Sequence, residues 1–361
     1  MKHILFLISN DCTTRGGAEE VMRLTVMHFL RQGDDVHVFF LLEKRFGDWE
    51  KVHYSNLHLY YSAGGGKLGV FSIVKNFWSV RHIRFDYSFS SIIECNGFVS
   101  IMKRVGILRI NKVIVRESTM VFNRYKGSKL MLYKILYRLG YPAVHTVVCQ
   151  TEWMRDVMLK YLPWLDKKTR VIVVPNPVDL QMIKEKEVEQ VETDRYAPYI
   201  LACGRLNPVK AYDLLVRAFA SLKQRHSNLK LVILGEGGER KNLECLSKEL
   251  GYENDVFLPG MVANVYPYMR NAKICVVSSH IEGFPNVLLQ MMSQNERVVS
   301  TTCAGGIEKI EGLITCKPGD LTALEEAIER GLEIEVKDTR KLFDKELDSR
   351  SIEKFVHVIT E

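Results

Sequence analysis

Residues 278–290 read Ser-Ser-His-Ile-Glu-Gly-Phe-Pro-Asn-Val-Leu-Leu-Gln, a run whose residue types and spacing suit a polar, anionic ligand. Glu282 follows an apolar strand-like stretch, Gly283 permits a tight turn, and Pro285 suits the first turn of a helix that continues through Asn286 and Val287. A helix opening there aims the positive end of its dipole and its first N–H groups at a phosphate. Glu282 is then placed to accept hydrogen bonds from sugar hydroxyls. Gln290, eight residues on and two helical turns down, reaches other hydroxyls of a bound nucleotide. An ordinary capped helix accounts for Pro285 but leaves Glu282-Gly283-Phe284 unexplained.

Two further clusters have the right chemistry. Gly204, Arg205 and Leu206, then Lys210 and Asp213, come directly after an apolar run. Arginine offers a planar fork to phosphate oxygens and lysine a compact point charge, so Arg205 and Lys210 together suit a diphosphate. Taken alone they fit two solvated loop cations better. Arg15-Gly16-Gly17-Ala18-Glu19 lies between a strand-like run and a helical one. There the bare backbone of Gly16 and Gly17 would let N–H groups approach a phosphate, although a Gly-Gly pair in such a place also serves as a plain turn.

The elements that must position these residues alternate. Apolar runs at Ile4–Ile8, Asp35–Leu42, Ser91–Ile93, Val113–Val115, Thr146–Cys149 and Arg170–Val174 predict strands, with helical period over Ala18–Arg31. Pro175-Asn176-Pro177-Val178-Asp179 then ends the strand and reads as a linker. The alternation restarts with strands at Tyr199–Ala202, Lys230–Leu234, Val256–Leu258, Ile274–Val277 and Arg297–Ser300 and helices at Tyr212–Gln224, Arg240–Leu250 and Asn286–Ser293. This is an α/β pattern of two Rossmann-like domains, residues 1–177 and 178–348, with a last helical stretch over 349–361 that can pack back on the first.

A chain of 361 residues exceeds what one hydrophobic core usually serves, which agrees with two domains. The longest apolar runs fall well short of the roughly 20 residues that cross a bilayer, and no cleavable leader is evident after Lys2 and His3. A cytoplasmic protein is the expectation. The eight cysteines form no CxxC pair, so neither a zinc-ligand spacing nor a disulfide framework is read. Charge is uneven: residues 1–178 hold 26 Lys and Arg against 14 Asp and Glu, a net of +12, and the remainder nets −5. A basic half of that kind faces anionic material. Within it, Tyr125–Tyr141 sets Lys126, Lys129, Lys134 and Arg138 among Leu130, Leu132, Ile135 and Leu136, and Lys75–Arg84 sets Phe77 and Trp78 between cations. Such segments fit either a membrane interface or a core helix with a solvated face. No nucleic-acid-binding signature accompanies the charge.

In order along the chain, Gly16-Gly17-Ala18-Glu19, Pro175-Asn176-Pro177-Val178-Asp179, Gly204-Arg205-Leu206 with Lys210 and Asp213, Leu234-Gly235-Glu236-Gly237, Leu258-Pro259-Gly260 and Glu282-Gly283-Phe284-Pro285-Asn286 resemble the GT4 family of retaining glycosyltransferases. The resemblance covers nearly the whole chain and is faint over about residues 45–145. It implies a GT-B fold, two Rossmann-like domains facing each other across a crevice. It further implies that Arg205 and Lys210 hold the diphosphate of a nucleotide-sugar donor, that Glu282 orients the sugar, and that Gly204, Gly283, Phe284, Pro285, Asn286, Val287 and Gln290 complete the donor site, with Gly16 and Gly17 approaching from the first domain. The implied reaction retains anomeric configuration by a front-face path. The acceptor hydroxyl attacks from the leaving-group side and a donor phosphate oxygen takes its proton. No cofactor is expected, and no Asp-x-Asp pair is present to hold a metal on the diphosphate.

Two departures stand out. The family usually has a second glutamate where this chain has Gln290, and a histidine near Glu94-Cys95-Asn96-Gly97, where there is none. Asn96 and Glu117 are the candidate acceptor-side groups, while His145 and His280 fit structural roles. The resemblance points to UDP as the commoner nucleotide and to a saccharide acceptor, lipid-linked in surface-polysaccharide assembly, met at an anionic membrane surface by a peripheral protein. A sugar-nucleotide 2-epimerase-like enzyme and a non-catalytic nucleotide-sugar-binding protein stay open as alternatives.

Overall fold

Short runs of β-branched and aromatic residues, buried on both faces, form two parallel sheets in this chain. The computed structural model describes residues 1–11, 17–42, 47, 49–63, 67–119 and 121–361. They divide into two units, Met1–Pro177 with Ile352–Glu361, and Val178–Ser351. Gly16 lies outside the described residues.

The first unit runs β1 (His3–Ile8), α1 (Gly17–Arg31), β2 (Asp35–Phe40), β3 (Leu57–Tyr61), α2 (Lys67–Ser79), β4 (Arg84–Ser91), α3 (Ile93–Arg104), β5 (Arg109–Arg116), α4 (Val121–Arg124), α5 (Gly127–Gly140), β6 (Thr146–Cys149), α6 (Glu152–Tyr161) and β7 (Arg170–Val173). Its seven strands lie in the order β3-β2-β1-β4-β5-β6-β7, all parallel. Leu5, Leu7, Val113, Val115 and Val147 on the strands pack with Phe77 of α2, Val99 of α3 and Tyr133 and Tyr137 of α5. Burying one such side chain is worth about 1.5–3 kcal/mol. Helices α3 and α5 approach through glycines: a Cβ on Gly140 would stand 2.9 Å from the Gly97 carbonyl oxygen.

The second unit runs α7 (Leu180–Glu187), β8 (Tyr199–Cys203), α8 (Tyr212–Leu222), β9 (Lys230–Leu234), α9 (Arg240–Glu249), β10 (Val256–Gly260), α10 (Tyr266–Asn271), β11 (Ile274–Val277), α11 (Asn286–Gln294), β12 (Val298–Thr301), β13 (Ile314–Cys316), α12 (Leu321–Glu333) and α13 (Thr339–Ser349). Its strand order is β10-β9-β8-β11-β12-β13, again all parallel. The chain then returns to the first unit as α14 (Ile352–Thr360). Ile352, Phe355, Val356 and Ile359 are its buried stripe, and the helix lies against α1. Cations tie down its end: Lys112 Nζ donates to the Thr360 carbonyl at 2.8 Å and Arg170 to that of Val358 at 3.0 Å, satisfying acceptors that a helix C-terminus leaves open.

The sequence reading places most strands within two residues of where they lie. It differs at β4, which runs from Arg84 and ends where a strand was expected to begin, because Ser88, Ser90 and Ser91 make a buried central strand look polar. Strands β3 and β13 were not expected from the sequence; both are short, and every residue of β3 is only half-buried. Among the described residues no helix is long and apolar enough to cross a membrane.

Candidate active site

In an open parallel sheet the strand order reverses at one point, and the loops leaving the carboxyl ends of the two strands there frame a ligand site. In the second unit those strands are β8 and β11, and their loops carry Arg205, Lys210 and Glu282.

The loop after β8 is shaped by its neighbours. Gly204 N–H donates to the Leu234 carbonyl (2.9 Å), Leu206 N–H to that of Glu236 (2.9 Å), and Gly235 N–H to that of Gly260 (2.8 Å). The loops after β8, β9 and β10 therefore stack backbone on backbone. Side chains do not fit between them: a Cβ on Gly235, where φ is 138°, would stand 2.0 Å from the Gly204 oxygen, and one on Gly237 would stand 2.1 Å from that of Leu206. The glycines of Gly204-Arg205-Leu206 and Gly235-Glu236-Gly237 are one packing solution. Arg205 is exposed on this loop.

Lys210 is held more tightly. Asn207 Oδ1 caps the 3₁₀ turn Pro208–Lys210 by accepting from Lys210 N–H, and Ala211 follows in the left-handed region at φ 50°, ψ 41° before α8 begins. A buried alanine there costs roughly 1–2 kcal/mol, and such strain persists where the surroundings demand it. From this turn Lys210 Nζ reaches Glu282 Oε1 at 2.7 Å, both side chains being less than one-fifth exposed. Ser279 Oγ donates to the same Glu282 oxygen at 3.0 Å. Glu282 N–H donates to the Cys303 carbonyl, His280 N–H to that of Val209, each at 2.8 Å, and Ser278 Oγ to that of Lys210 at 2.8 Å. The loops after β8, β11 and β12 thus brace a single ion pair at the reversal point. Burial pushes the nearby Cys203 thiol up to about 11 and that of Cys303 up to about 12, so neither supplies a thiolate nucleophile at neutral pH.

Helix α11 starts at Asn286 behind Pro285 with no side-chain cap bond. Gly283, Val287 and Gln290 are half-buried, whereas Phe284 and Pro285 are buried. Phe284 packs into the core with the Arg350 guanidinium 4.5 Å from its ring centre. Phe284 and Pro285 therefore shape the turn and offer a ligand backbone rather than side chains. A separate cleft of about 300 Å³, lined by Asn207, Asp213, Arg217, Glu239 and Asn242 among others, contains none of Arg205, Lys210 and Glu282.

Both acceptor-side candidates are buried. Asn96 is not in a strand-end loop but inside α3, fully buried, and Glu117 is also buried. Ser90 Oγ donates to Asn96 Oδ1 at 2.8 Å, and Asn96 Nδ2 donates to the Arg116 carbonyl at 3.1 Å. Glu117 accepts from the hydroxyls of Tyr137 and Tyr141. Arg116, fully buried beside it, donates to Asn176 Oδ1 and Ser91 Oγ. Burial raises the Glu117 carboxyl above its usual range, partly offset by the tyrosine hydrogen bonds and Arg116, and lowers Arg116 to about 10. This is an internal polar network that engages both side chains, and Glu117 also lines a small cavity with Thr119, Phe122 and Met158. The network's tyrosines come from the end of α5 and the turn after it, a pairing no local spacing announces. The first-unit Gly17 opens α1 and is exposed. His145 sits beside Lys103, whose charge adds to burial in holding its imidazole below the usual value.

Residues 183–347 match the family model described as glycosyl transferases group 1. A Campylobacter jejuni relative named N-acetylgalactosamine-N,N'-diacetylbacillosaminyl-diphospho-undecaprenol 4-alpha-N-acetylgalactosaminyltransferase is 30% identical over 234 residues, which is 64% of this chain and 62% of the relative. Over residues 183–347 the chain is similar to the group 1 glycosyltransferases. A second relative, the lipopolysaccharide core biosynthesis glycosyltransferase LpsE of Rhizobium meliloti, is 29% identical over half of this chain and 52% of its own. An uncharacterised glycosyltransferase of Methanocaldococcus jannaschii is 28% identical over 51% of this chain, and the match spans only 45% of that relative. Among solved structures, Anabaena HepE in complex with UDP and glucose superposes with a TM-score of 0.80 at 17% identity, covering 99% of this chain and 98% of that one. Sucrose-phosphate synthase from Thermosynechococcus elongatus gives 0.78 at 16% over the same shares. The fold of this chain is therefore GT-B, two Rossmann-like units, and the matched 183–347 contain Arg205, Lys210 and Glu282.

Proposed function

We propose that this chain transfers a sugar, with retention and without a metal at the diphosphate, from a UDP-linked donor to a hydroxyl of a lipid-linked saccharide. The Lys210–Glu282 pair at the β8/β11 reversal carries the reading. A preformed ion pair, braced by three loops, is divided by an incoming donor. Lys210 turns to the diphosphate and Glu282 takes a sugar hydroxyl in its place. Arg205 and the α11 N-terminus add positive potential where charge develops as the nucleoside diphosphate leaves, the kind of preorganised stabilisation that usually dominates catalysis. The attacking hydroxyl passes its proton to a donor phosphate oxygen, so no protein base is required, in keeping with the burial of Glu117. Gln290 offers a neutral amide to the ribose where the family has a carboxylate. UDP is favoured by the bound ligand of HepE, and a lipid-linked acceptor by the name of the Campylobacter relative.

An anionic membrane surface fits the first unit. Tyr133 and Tyr137 of α5 face inward, while Met131, Leu132, Ile135 and Leu139 are 44–60% exposed beside exposed Lys134 and Arg138. Trp78 of α2 is 55% exposed, with the Arg81 guanidinium 4.8 Å from its ring centre. Exposed apolar residues flanked by cations suit an anionic interface. The test is nucleoside diphosphate release from UDP- and GDP-sugars, in EDTA, with and without undecaprenyl-linked acceptors. Release that requires acceptor supports transfer; conversion of donor alone, with no acceptor, would indicate epimerisation instead.

A further inference from the structure

Three imidazoles converge on one carboxylate at the opposite, amino-terminal end of the first sheet. In the parallel register His3 of β1 lies opposite Asp35 of β2, and His37 of β2 opposite His58 of β3. Asp35 and His37 are two residues apart, hence on one face. Asp35 Oδ2 is 2.8 Å from both His3 Nδ1 and His37 Nε2, and Asp35 Oδ1 is 2.8 Å from His58 Nε2. The His37 and His58 rings stack with centres 4.6 Å apart, and His37 Nδ1 is 3.0 Å from Tyr60 Oη.

We propose that His3, Asp35 and His37 bind a divalent transition ion of the zinc class, with His58 and Tyr60 orienting two of the ligands. Their three donor atoms lie within 4.8 Å of one another. Two imidazoles and a carboxylate form a donor set that zinc takes readily, leaving a position for water. Ligands about 2.0–2.2 Å from a tetrahedral ion stand roughly 3.3 Å apart, so the 2.8 Å pairs must open by about half an ångström, within reach of small side-chain rotations. With both rings neutral the protons balance without any being released. The ion takes the place of the N–H groups that His3 Nδ1 and His37 Nε2 now direct at Asp35. The His37 proton moves to Nδ1, where Tyr60 Oη accepts it, and that of His3 moves to Nε2. His58 goes on donating to the far carboxylate oxygen, the outer hydrogen bond that metal-bound carboxylates usually keep. His37 is 4% exposed, whereas His3 is 39% and His58 43% exposed, so the site is anchored from within and open to an entering ion. It joins β1, β2 and the edge strand β3, away from the carboxyl ends where a donor would sit, so its role is to fasten the sheet edge rather than to act in transfer.

Titration of ZnCl₂ into the chelator-treated full chain, followed by calorimetry and thermal melting, tests this. A single equivalent should bind and raise the melting temperature, and Co²⁺ in its place should give visible absorption of a low-coordinate site. His3→Gln, at an exposed position that leaves the fold intact, should weaken Zn²⁺ binding by roughly tenfold or more; His58→Gln should weaken it less. Absence of stoichiometric binding, or His3→Gln binding Zn²⁺ as the wild type does, would overturn the proposal and leave the cluster a hydrogen-bonded clamp. None of these readings depends on sugar transfer.

Discussion

Lys210 and Glu282 form an ion pair at 2.7 Å, and removing either has a distinct consequence. In Lys210→Ala the donor diphosphate loses its point charge, and kcat should fall roughly 10²–10³-fold in steady-state assays, the usual loss for one charge-stabilising donor. Glu282→Gln keeps a hydrogen-bond acceptor for the sugar but frees Lys210, so the donor KM should fall or hold while kcat drops; an unchanged kcat would remove Glu282 from the site. Glu117 belongs to a different argument. Burial raises its folded-state pKa, so the unfolded chain gives up this proton at lower pH than the folded one does. Stability is thus lost as pH rises from the ordinary carboxylate value through the raised one, then levels off. Glu117→Gln has no such loss, and its urea midpoint relative to wild type should increase across that interval. The Lys210 and Glu282 positions were legible because Arg205, Lys210 and Glu282 sit in local runs of unusual composition. The burial of Glu117 was not legible because Arg116-Glu117-Ser118 looks like a solvated loop, and only the tyrosines of α5 and the turn after it make it interior.

Loops after β8, β9 and β10 share one backbone stack, which makes a sharp comparison possible. Gly235→Ala forces a Cβ onto the Gly204 carbonyl and should destabilise the second unit by at least about 2 kcal/mol, whereas Gly238→Ala, with nothing within 4 Å of its Cβ, should change the denaturation midpoint hardly at all. The sequence marked Gly204 as ligand-facing; the structure adds that its backbone meets Gly235 first. Among strands, apolar β1, β6, β9 and β11 were readable from composition. Serine-rich β4 was not, since its burial comes from neighbours on both sides. For α5 the periodicity showed an amphipathic helix but not which apolar residues face out. Replacing Ile135 and Leu139 together by serine should lower binding to phosphatidylglycerol vesicles about tenfold or more, from the apolar area withdrawn, with no fall in melting temperature; unchanged vesicle binding would detach α5 from the membrane reading.

At the scale of the whole chain the amino-terminal half carries +12 and the remainder −5, so the proposed vesicle binding should weaken with added salt, over a Debye length of about 8–10 Å. The two-unit architecture was legible from alternating strands and the Pro175–Asp179 linker, because each Rossmann-like unit repeats the same alternation. The return of α14 to the first unit rests on a buried stripe that periodicity alone could not assign to a partner. The most direct measurement is release of UDP from UDP-sugars in EDTA, with a lipid-linked acceptor. The account predicts acceptor-dependent release that EDTA leaves intact and that collapses in Lys210→Ala and Glu282→Ala; release abolished by EDTA, or unaffected by both substitutions, would contradict it.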